Sequence, residues 1–351
     1  MSRKTHDDLM NSIDEKANEI IKDMPVFAEK YFNNMDDRNL SKRTKLQYAY
    51  DMKQFFDFFS ERYPKIKTMS AAELLEDISL EDLQEYTQSL KYHYSKDGKK
   101  QLNSNGYKAR RIASLHSFYT YYHKIGLIDK PTALLIDNPK INSHEIKLLD
   151  NMQVDRLLEA IKMPSGERKN DIEMHNMIEK RDFAIMMLFL GTGIRVSELV
   201  GIDMQDIDFV NGSVLIHRKG GDTTLAYFGL EVEEALIDYR DNCRDTLNTN
   251  NEDAFFISLH HKRLSVRSVE TMIKTYKEKA GINTKATPHT LRRVFGTAVY
   301  NETGDIYLTA SALNQKSVET TRKYYAKMSE EKRRSVVKAS KTIFDKESKK
   351  N

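Results

Sequence analysis

Apolar residues recur every three to four positions along most of this chain, the spacing that places side chains on one face of an α-helix. The clearest run covers residues 41–59, where Leu46, Met52 and Phe59 share a broad apolar face. Ser41 stands at its start, where a hydroxyl can accept a hydrogen bond from an unpaired backbone N–H. Further helices are predicted at 71–75, 80–94 and 105–125. The first 130 residues are therefore predicted to form an all-α bundle.

A proline-bearing stretch separates this bundle from the rest of the chain. Pro131 and Pro139 lie in it, and a residue that precedes proline avoids the helical region. We interpret 131–147 as a linker, since a chain of 351 residues has room for two domains. Beyond it the helical spacing resumes and is interrupted by two predicted strands, at 213–218 and 223–228. The glycines between them allow the positive φ angles of a tight hairpin.

Composition narrows the class of protein. No apolar run approaches the ~20 residues of a membrane span, and the start of the chain lacks the apolar segment of a secretory signal. We therefore expect a cytoplasmic protein. The single cysteine, Cys243, excludes an internal disulfide and a cysteine-rich zinc site. With no H-E-x-x-H pattern either, we expect neither metal nor cofactor. The net charge of +4 permits a nucleic-acid partner without indicating one.

Three features of the second half could bind or protonate a phosphate. Arg195 follows a glycine-flanked turn at a predicted helix start, and both helix N-termini and guanidinium groups favour phosphate. Lys219 lies at the tip of the predicted hairpin, from which its amine could protonate a leaving oxygen. His289 and Arg292 are three residues apart and so share a helix face. Each feature taken alone is more typical of an ordinary surface or core residue.

Two further residues near the C-terminus complete the set. Gln315 can both donate and accept hydrogen bonds, although helix capping is the default role of such a residue. Tyr324 carries a phenol that becomes a nucleophile once its proton is removed. Tyr325 is a rival for that role. Adjacent helical residues point about 100° apart, so only one of the two can face a given phosphate.

Taken together and in order, these residues resemble the catalytic pattern of the tyrosine recombinase (phage integrase) family, and of its Xer type in particular. The resemblance rests on the segments TGIRVSELVGI, HRKGG, PHTLRRVFGTAVY and ALNQKSVETTRKYY. It extends to the first domain through SKRTKLQYAYDMKQFFDFF and YKARRIASLHSFYTYYHKIGLI, so that it covers residues 25–330. One position departs from the pattern, because Gln315 stands where the family usually has histidine or tryptophan.

The resemblance implies a mainly α fold with a small β-hairpin or sheet in a two-domain architecture. It implies an N-terminal extension at 1–22, a helical core-binding domain that contacts DNA at 23–130, the linker at 131–147, a catalytic domain at 148–328, and a docking helix and tail at 329–351. The expected partners are double-stranded DNA at a specific site and further copies of the chain, as a tetramer on two sites, with a second recombinase as an optional partner. The expected location is the bacterial nucleoid.

The resemblance also assigns a reaction, in which Tyr324 attacks a DNA phosphate and forms a 3′-phosphotyrosyl link. Arg195 and Arg292 would neutralise the phosphate, His289 would help to move the tyrosine proton, and Lys219 would protonate the departing 5′ oxygen. Because the ester keeps the bond energy, the reaction needs neither ATP nor metal. The biological role would be chromosome-dimer resolution or integration and excision of a mobile element. The alternatives are a catalytically impaired DNA-binding relative, with Gln315 as its mark, and a monomeric relaxing topoisomerase.

Basic residues of the first domain are candidates for contact with DNA. A solvated surface role is the plain alternative for each of them. The candidates are Arg43, Lys45, Lys108, Arg110 and Arg111.

Overall fold

The computed structural model describes residues 3–95, 97–140, 148–164, 169–218, 222–315 and 318. The chain divides into two compact units on either side of residue 145. No helix in these ranges is both long enough and apolar enough to cross a membrane.

The first unit is built from helices around an aromatic core. Phe55, Phe118 and Tyr122 are fully buried there, and their rings pack edge-on or tilted against other aromatic rings. Its helices are α1 (Arg3–Lys22), α2 (Ala28–Asp37), α3 (Lys42–Phe59), α4 (Ala71–Leu75), α5 (Leu80–Ser89) and α6 (Asn105–Lys124), followed by a 3₁₀ turn at Thr132–Leu135. The hydroxyl of Ser41 accepts a hydrogen bond of 3.0 Å from the Thr44 backbone N–H, so the predicted cap of α3 is confirmed.

A small hairpin replaces the end of the helix predicted at 80–94, and the prediction of strand-free structure before residue 130 was wrong in this respect. Helix α5 ends at Ser89, and β1 (Tyr92–Tyr94) pairs antiparallel with β2 (Lys100–Leu102). The side-chain amide of Asn103 donates a 2.9 Å bond to the Leu90 carbonyl and closes the base of this hairpin. Gly98 adopts φ +72° in its turn, which glycine does readily.

The second unit is also mainly helical, with one three-stranded sheet. Its helices are α7 (Asn151–Lys162), α8 (Lys169–Thr192), α9 (Val196–Leu199), α10 (Leu230–Tyr239), α11 (Asp245–Leu247), α12 (Val266–Lys279), α13 (Pro288–Thr303) and α14 (Ile306–Ala312), with a 3₁₀ turn at Met204–Asp206 and a π-helical turn at Arg240–Arg244. Its strands are β3 (Ile207–Asp208), β4 (Ser213–His217) and β5 (Thr223–Tyr227). The apolar run at 184–189 places α8 in the centre of the core, against α7, α10 and α13.

The sheet of the second unit is antiparallel, in the order β3-β4-β5. Strands β4 and β5 pair in a register that sets Ser213 opposite Tyr227 and His217 opposite Thr223. The two predicted strands are therefore confirmed. The mainly α fold class with a small sheet is confirmed as well.

Candidate active site

Arg292 lies at the centre of the candidate site. It stands in the first turns of α13, which begins at Pro288 after the Thr287 cap, and its side chain is buried. Its guanidinium donates hydrogen bonds to the carbonyl oxygens of Gly193 and Leu313. These acceptors lie two residues before Arg195 and two residues before Gln315. The buried guanidinium therefore holds together three segments that are far apart in the sequence.

The turn between α8 and α9 is shaped by Gly193. It has φ +61°, and a Cβ at this position would lie 2.4 Å from a ring carbon of Phe295 and 3.1 Å from a methyl carbon of Leu313. Only glycine fits both the backbone angle and the space. The turn thus places the Gly193 carbonyl against Arg292 and directs the chain into Arg195.

Arg195 remains on the surface of the site. Its side chain is 44% exposed, and its guanidinium lies 2.8 Å from the carboxylate of Glu198, which is 8% exposed. The other oxygen of that carboxylate accepts a 2.8 Å bond from the Arg195 backbone N–H. Arg218 approaches the same carboxylate at 3.6 Å. Glu198 therefore orients Arg195 while leaving part of its guanidinium accessible to an anion.

His289 lies one turn before Arg292 on α13, as the three-residue spacing predicts. Burial lowers the pKa of its imidazole, and the positive charges of Arg293, Arg292, Arg195 and Lys285 lower it further. The contribution of Arg195 means that the two predicted residues lie in the same electrostatic environment. An imidazole held neutral at neutral pH has one nitrogen free to accept a proton.

The end of α14 fixes the position of Gln315. Asn314 has φ +50°, the Gln315 N–H donates 2.9 Å to the Ala310 carbonyl, and the Asn314 N–H donates 2.7 Å to the Ser311 carbonyl. This is the Schellman pattern that closes a helix with a left-handed residue. Asparagine is one of the few residues that adopt this conformation readily.

Asn314 also binds the hairpin formed by β4 and β5. Its Oδ1 accepts a 2.8 Å bond from the Thr224 hydroxyl, and its Nδ2 donates 3.3 Å to the Leu225 carbonyl. Arg218, just before Lys219, donates 2.8 Å to the Asn314 carbonyl. The described residues on both sides of Lys219 are thus tied to the residue before Gln315.

Three of the predicted residues lie outside the described part of the chain. These are Lys219, Tyr324 and its rival Tyr325. Residues 218 and 222 on either side of Lys219 are described, and the Arg218 N–H donates 2.8 Å to the Asp222 carbonyl. The predicted docking helix and tail at 329–351 also lie outside the described residues.

The structure separates Arg43 from Lys45, although both are near the start of α3. Arg43 is exposed, whereas Lys45 is buried with its amine 3.1 Å from Asp14 and 2.7 Å from Asp36. This placement contradicts the expectation that Lys45 contacts DNA, because a buried amine held by two carboxylates presents no surface to a phosphate. Lys45 instead joins α3 to α1 and α2.

The basic residues of α6 are placed differently from one another. Arg110 and Arg111 both form ion pairs with Asp51, whose carboxylate is buried and would be unstable without a positive partner. Arg110 keeps 34% of its side chain exposed and Arg111 keeps 11%, with its guanidinium 4.5 Å from the Tyr107 ring centroid. Lys108 is half-buried. Arg110 is therefore more accessible to DNA than Arg111.

Sequence reasoning missed three residues of the site, namely Glu198, Arg218 and Asn314. The spacing of three between Arg195 and Glu198 was a usable signal, since such residues share a helix face. Asparagine directly after a predicted helix is likewise a known helix-stop signal. Nothing in the sequence pointed to Arg218. Across the described ranges, no cluster of three or more His, Cys, Asp or Glu side chains is arranged to hold a metal ion.

The chain is similar to known proteins over most of its length. Residues 147–331 match the model of the phage integrase family. The tyrosine recombinase XerC of Roseiflexus sp. (strain RS-1) is 30% identical over 293 residues, which is 82% of this chain and 85% of that protein. The structure of the XerH site-specific recombinase in a post-cleavage complex with its palindromic difH substrate superposes with a TM-score of 0.62 at 20% identity, over 82% of this chain and 78% of that one. A lambda integrase tetramer bound to a Holliday junction gives 0.59 at 17% identity, over 85% and 76%.

Proposed function

Because this chain belongs to the phage integrase family, as an Xer-like tyrosine recombinase that cleaves and rejoins DNA, we propose that Tyr324 is its nucleophile. The other residues that we place around the scissile phosphate are Arg195, Lys219, His289, Arg292 and Gln315. The reaction is site-specific strand exchange through a 3′-phosphotyrosyl intermediate.

The proposal is carried by one observation, the two hydrogen bonds of the buried Arg292 guanidinium. Through these bonds one side chain of α13 contacts both the Gly193 and the Leu313 carbonyl. The segments that lead to Arg195 and to Gln315 therefore both lie against α13. A phosphodiester bound there would face positive charge from Arg195 and Arg292. Fixed positive groups stabilise the charge that develops on the non-bridging oxygens during phosphoryl transfer.

The lowered pKa of His289 supports its role in the proton transfer. A neutral imidazole can accept the phenolic proton of Tyr324 directly or through water, whereas an imidazolium could not. The phenolate oxygen then forms a bond to phosphorus, and the bond from phosphorus to the 5′ oxygen breaks. Lys219 donates its proton to that oxygen, which leaves as a 5′-hydroxyl. Attack by a 5′-hydroxyl on the phosphotyrosine reverses each step and rejoins the strand.

We propose that four copies of the chain assemble on two DNA sites, with a second recombinase as an optional partner, and that residues 329–351 dock on a neighbouring copy. The lambda integrase tetramer on a Holliday junction supports the assembly by analogy of fold. Arg43, Lys108, Arg110 and Arg111 are the proposed DNA contacts of the first unit. The domain bounds of 23–130 and 148–328 remain part of the proposal. Helix α1, which precedes residue 23, packs against α2 and α3 of the first unit. The cellular site is the bacterial nucleoid, in dimer resolution or in movement of a mobile element.

A covalent-capture experiment tests the nucleophile. The full-length protein is incubated with a library of nicked duplexes of random sequence, and covalent complexes are isolated under denaturing conditions and sequenced. The recovered site is then used as a defined suicide substrate. We expect an adduct whose modified peptide carries the DNA on Tyr324, and no adduct with Tyr324→Phe.

Two matched variants sharpen this result. Tyr325→Phe should retain adduct formation, and its loss in that variant alone would assign the nucleophile to Tyr325. Gln315→His should keep or raise the cleavage rate, since histidine is the usual residue at that position of the family. A wild-type protein that binds duplex DNA but yields no covalent complex from the library would support the alternative of a catalytically impaired DNA-binding relative.

A further inference from the structure

The hairpin of the first unit, residues 92–102, is exposed on both of its faces. All six strand residues are exposed, with Tyr92 at 40%, Tyr94 at 70% and Leu102 at 67%. In the antiparallel register Tyr92 faces Leu102 and Tyr94 faces Lys100 on one face, while His93 faces Gln101 on the other. A two-stranded hairpin without packing on either face is only marginally stable in water. The 92–102 hairpin therefore has the exposure expected of an element that a binding partner stabilises.

The base of the 92–102 hairpin is firmly attached. Asn103 is buried, its backbone N–H donates 2.9 Å to the Lys91 carbonyl, and its side-chain amide donates 2.9 Å to the Leu90 carbonyl. The next residue, Ser104, caps α6 by accepting a 3.1 Å bond from the Tyr107 N–H. The hairpin therefore projects from a fixed base beside the N-terminus of α6, the helix that carries Lys108 and Arg110.

The charge of the 92–102 hairpin and its edge is strongly positive. Residues 91–100 contain four lysines and one acidic residue, Asp97. The amines of Lys91 and Lys100 lie 5.4 Å and 4.3 Å from the centroid of the Tyr92 ring. A contact with an aromatic ring does not neutralise the positive charge of an amine. A polyanion is the complementary partner.

We propose that the 92–102 hairpin inserts into the major groove of duplex DNA. This inference rests on the proposed function and names a further element that binds its substrate. The major groove, about 12 Å wide, admits a two-stranded β-ribbon, and the minor groove, about 6 Å wide, does not. The excess of positive charge in residues 91–100 favours DNA over a second copy of the chain, because two copies of this hairpin would repel each other.

The side chains of the 92–102 hairpin divide the work of such a contact. Lys91, Lys99 and Lys100 neutralise backbone phosphates. Gln101, on the polar face, has the amide that pairs with adenine in the major groove. Tyr94 lies on the opposite face, across from Lys100, and supplies apolar contact to sugars.

The test compares two triple variants of the full-length protein that lose the same charge. The first is Lys91→Gln, Lys99→Gln and Lys100→Gln. The control is Lys65→Gln, Lys124→Gln and Lys130→Gln, which changes three exposed lysines at the other end of the unit. Lys124 is the last residue of α6, and Asp129 nearby donates its N–H to Glu76. At 1.5 Å per residue, Lys124 lies roughly 28 Å from Asn105, the first residue of α6. Hydrogen exchange at residues 92–102 checks that the hairpin itself persists.

Binding is measured on a random-sequence duplex of about 30 base pairs, roughly three helical turns, between about 50 and 200 mM salt. Each lysine that neutralises a phosphate contributes about 0.9 to the slope of log affinity against log salt, so the hairpin variant should lose up to about 2.7 from that slope. We expect the control to retain the wild-type slope. Acetylation footprinting should show Lys99 and Lys100 protected by the duplex and Lys124 unprotected.

The outcomes separate the inference from the proposed function. Equal slopes for the two triple variants, with wild-type protein that binds strongly, would overturn the hairpin contact and leave the recombinase proposal standing. Impaired self-association of the hairpin variant with unchanged duplex binding would overturn it as well, in favour of a second copy as partner. A wild-type protein that does not bind duplex DNA at all would contradict both.

Discussion

Replacing Gly193 with alanine should destabilise the second unit by about 2–5 kcal/mol. The left-handed backbone at φ +61° is unfavourable for any L-residue with a Cβ, by roughly 1–2 kcal/mol. The added methyl group would also lie 2.4 Å from Phe295 and 3.1 Å from Leu313. Overpacking of this kind costs about 1–3 kcal/mol. The two contributions act at one site, and their sum sets the expected range.

Gly281→Ala is the matched control. Gly281 has φ +62°, and a Cβ there would have no atom within 4 Å. It therefore reports the backbone contribution alone, about 1–2 kcal/mol. The difference between the two variants isolates the clash with Phe295 and Leu313. Because the chain contains two units, the free energy should be measured by native-state hydrogen exchange at amides of α8 and α13.

Gly193→Ala should also reduce cleavage in the fraction that remains folded. Relief of the clash moves the Gly193 carbonyl away from Arg292 and shifts Arg195, and misplacement by about 1 Å is enough to cost on the order of a hundredfold in rate. Equal destabilisation by Gly193→Ala and Gly281→Ala would refute the packing argument. Wild-type cleavage by a destabilised Gly193→Ala would refute the link between this turn and the site.

Three further changes test other contacts. Folding lowers the pKa of His289, so the unfolded chain binds more protons near pH 6.5, and stability should fall as the pH drops through and below that value. The thermal midpoint of His289→Gln should therefore vary less with pH over this range than that of the wild type. Identical pH profiles for the two proteins would contradict the assignment. Asn314→Gly keeps the left-handed backbone but loses the bonds to Thr224 and Leu225. At roughly 1 kcal/mol per bond, cleavage should slow by up to about thirtyfold. Thr224→Val should add little to that loss, and full additivity would argue against a shared contact. Lys45→Met should lower stability by no more than about 1 kcal/mol, because the carboxylates of Asp14 and Asp36 are 30% and 48% exposed and water can solvate them. Duplex affinity should stay unchanged, and a weakened affinity in a stable variant would restore Lys45 as a DNA contact.

The helical pattern predicted α3, α4 and α6 to within a residue or two of their ends, because these helices bury one continuous apolar face. The prediction failed at residues 90–94. Tyr92 and Tyr94 continue an apolar spacing there, yet both are exposed on a strand. The hydrogen bonds of Asn103 to Leu90 and Lys91 end the helix, and a bond between residues 13 apart leaves no trace in a periodicity.

The sequence by itself determined which helices form, where the hairpin of the second unit lies, and in what order the recombinase motif appears, since these depend on spacing along the chain. Only the tertiary structure decided which of the matching side chains lie together and which are accessible. Arg292 reaches the Gly193 carbonyl across 99 residues and the Leu313 carbonyl across 21. Its acceptors are backbone atoms, which every residue type has, so no sequence pattern could name them. In the same way Arg43 and Lys45 are both basic and only packing against α1 and α2 separates them, because burial depends on the neighbours that folding brings together.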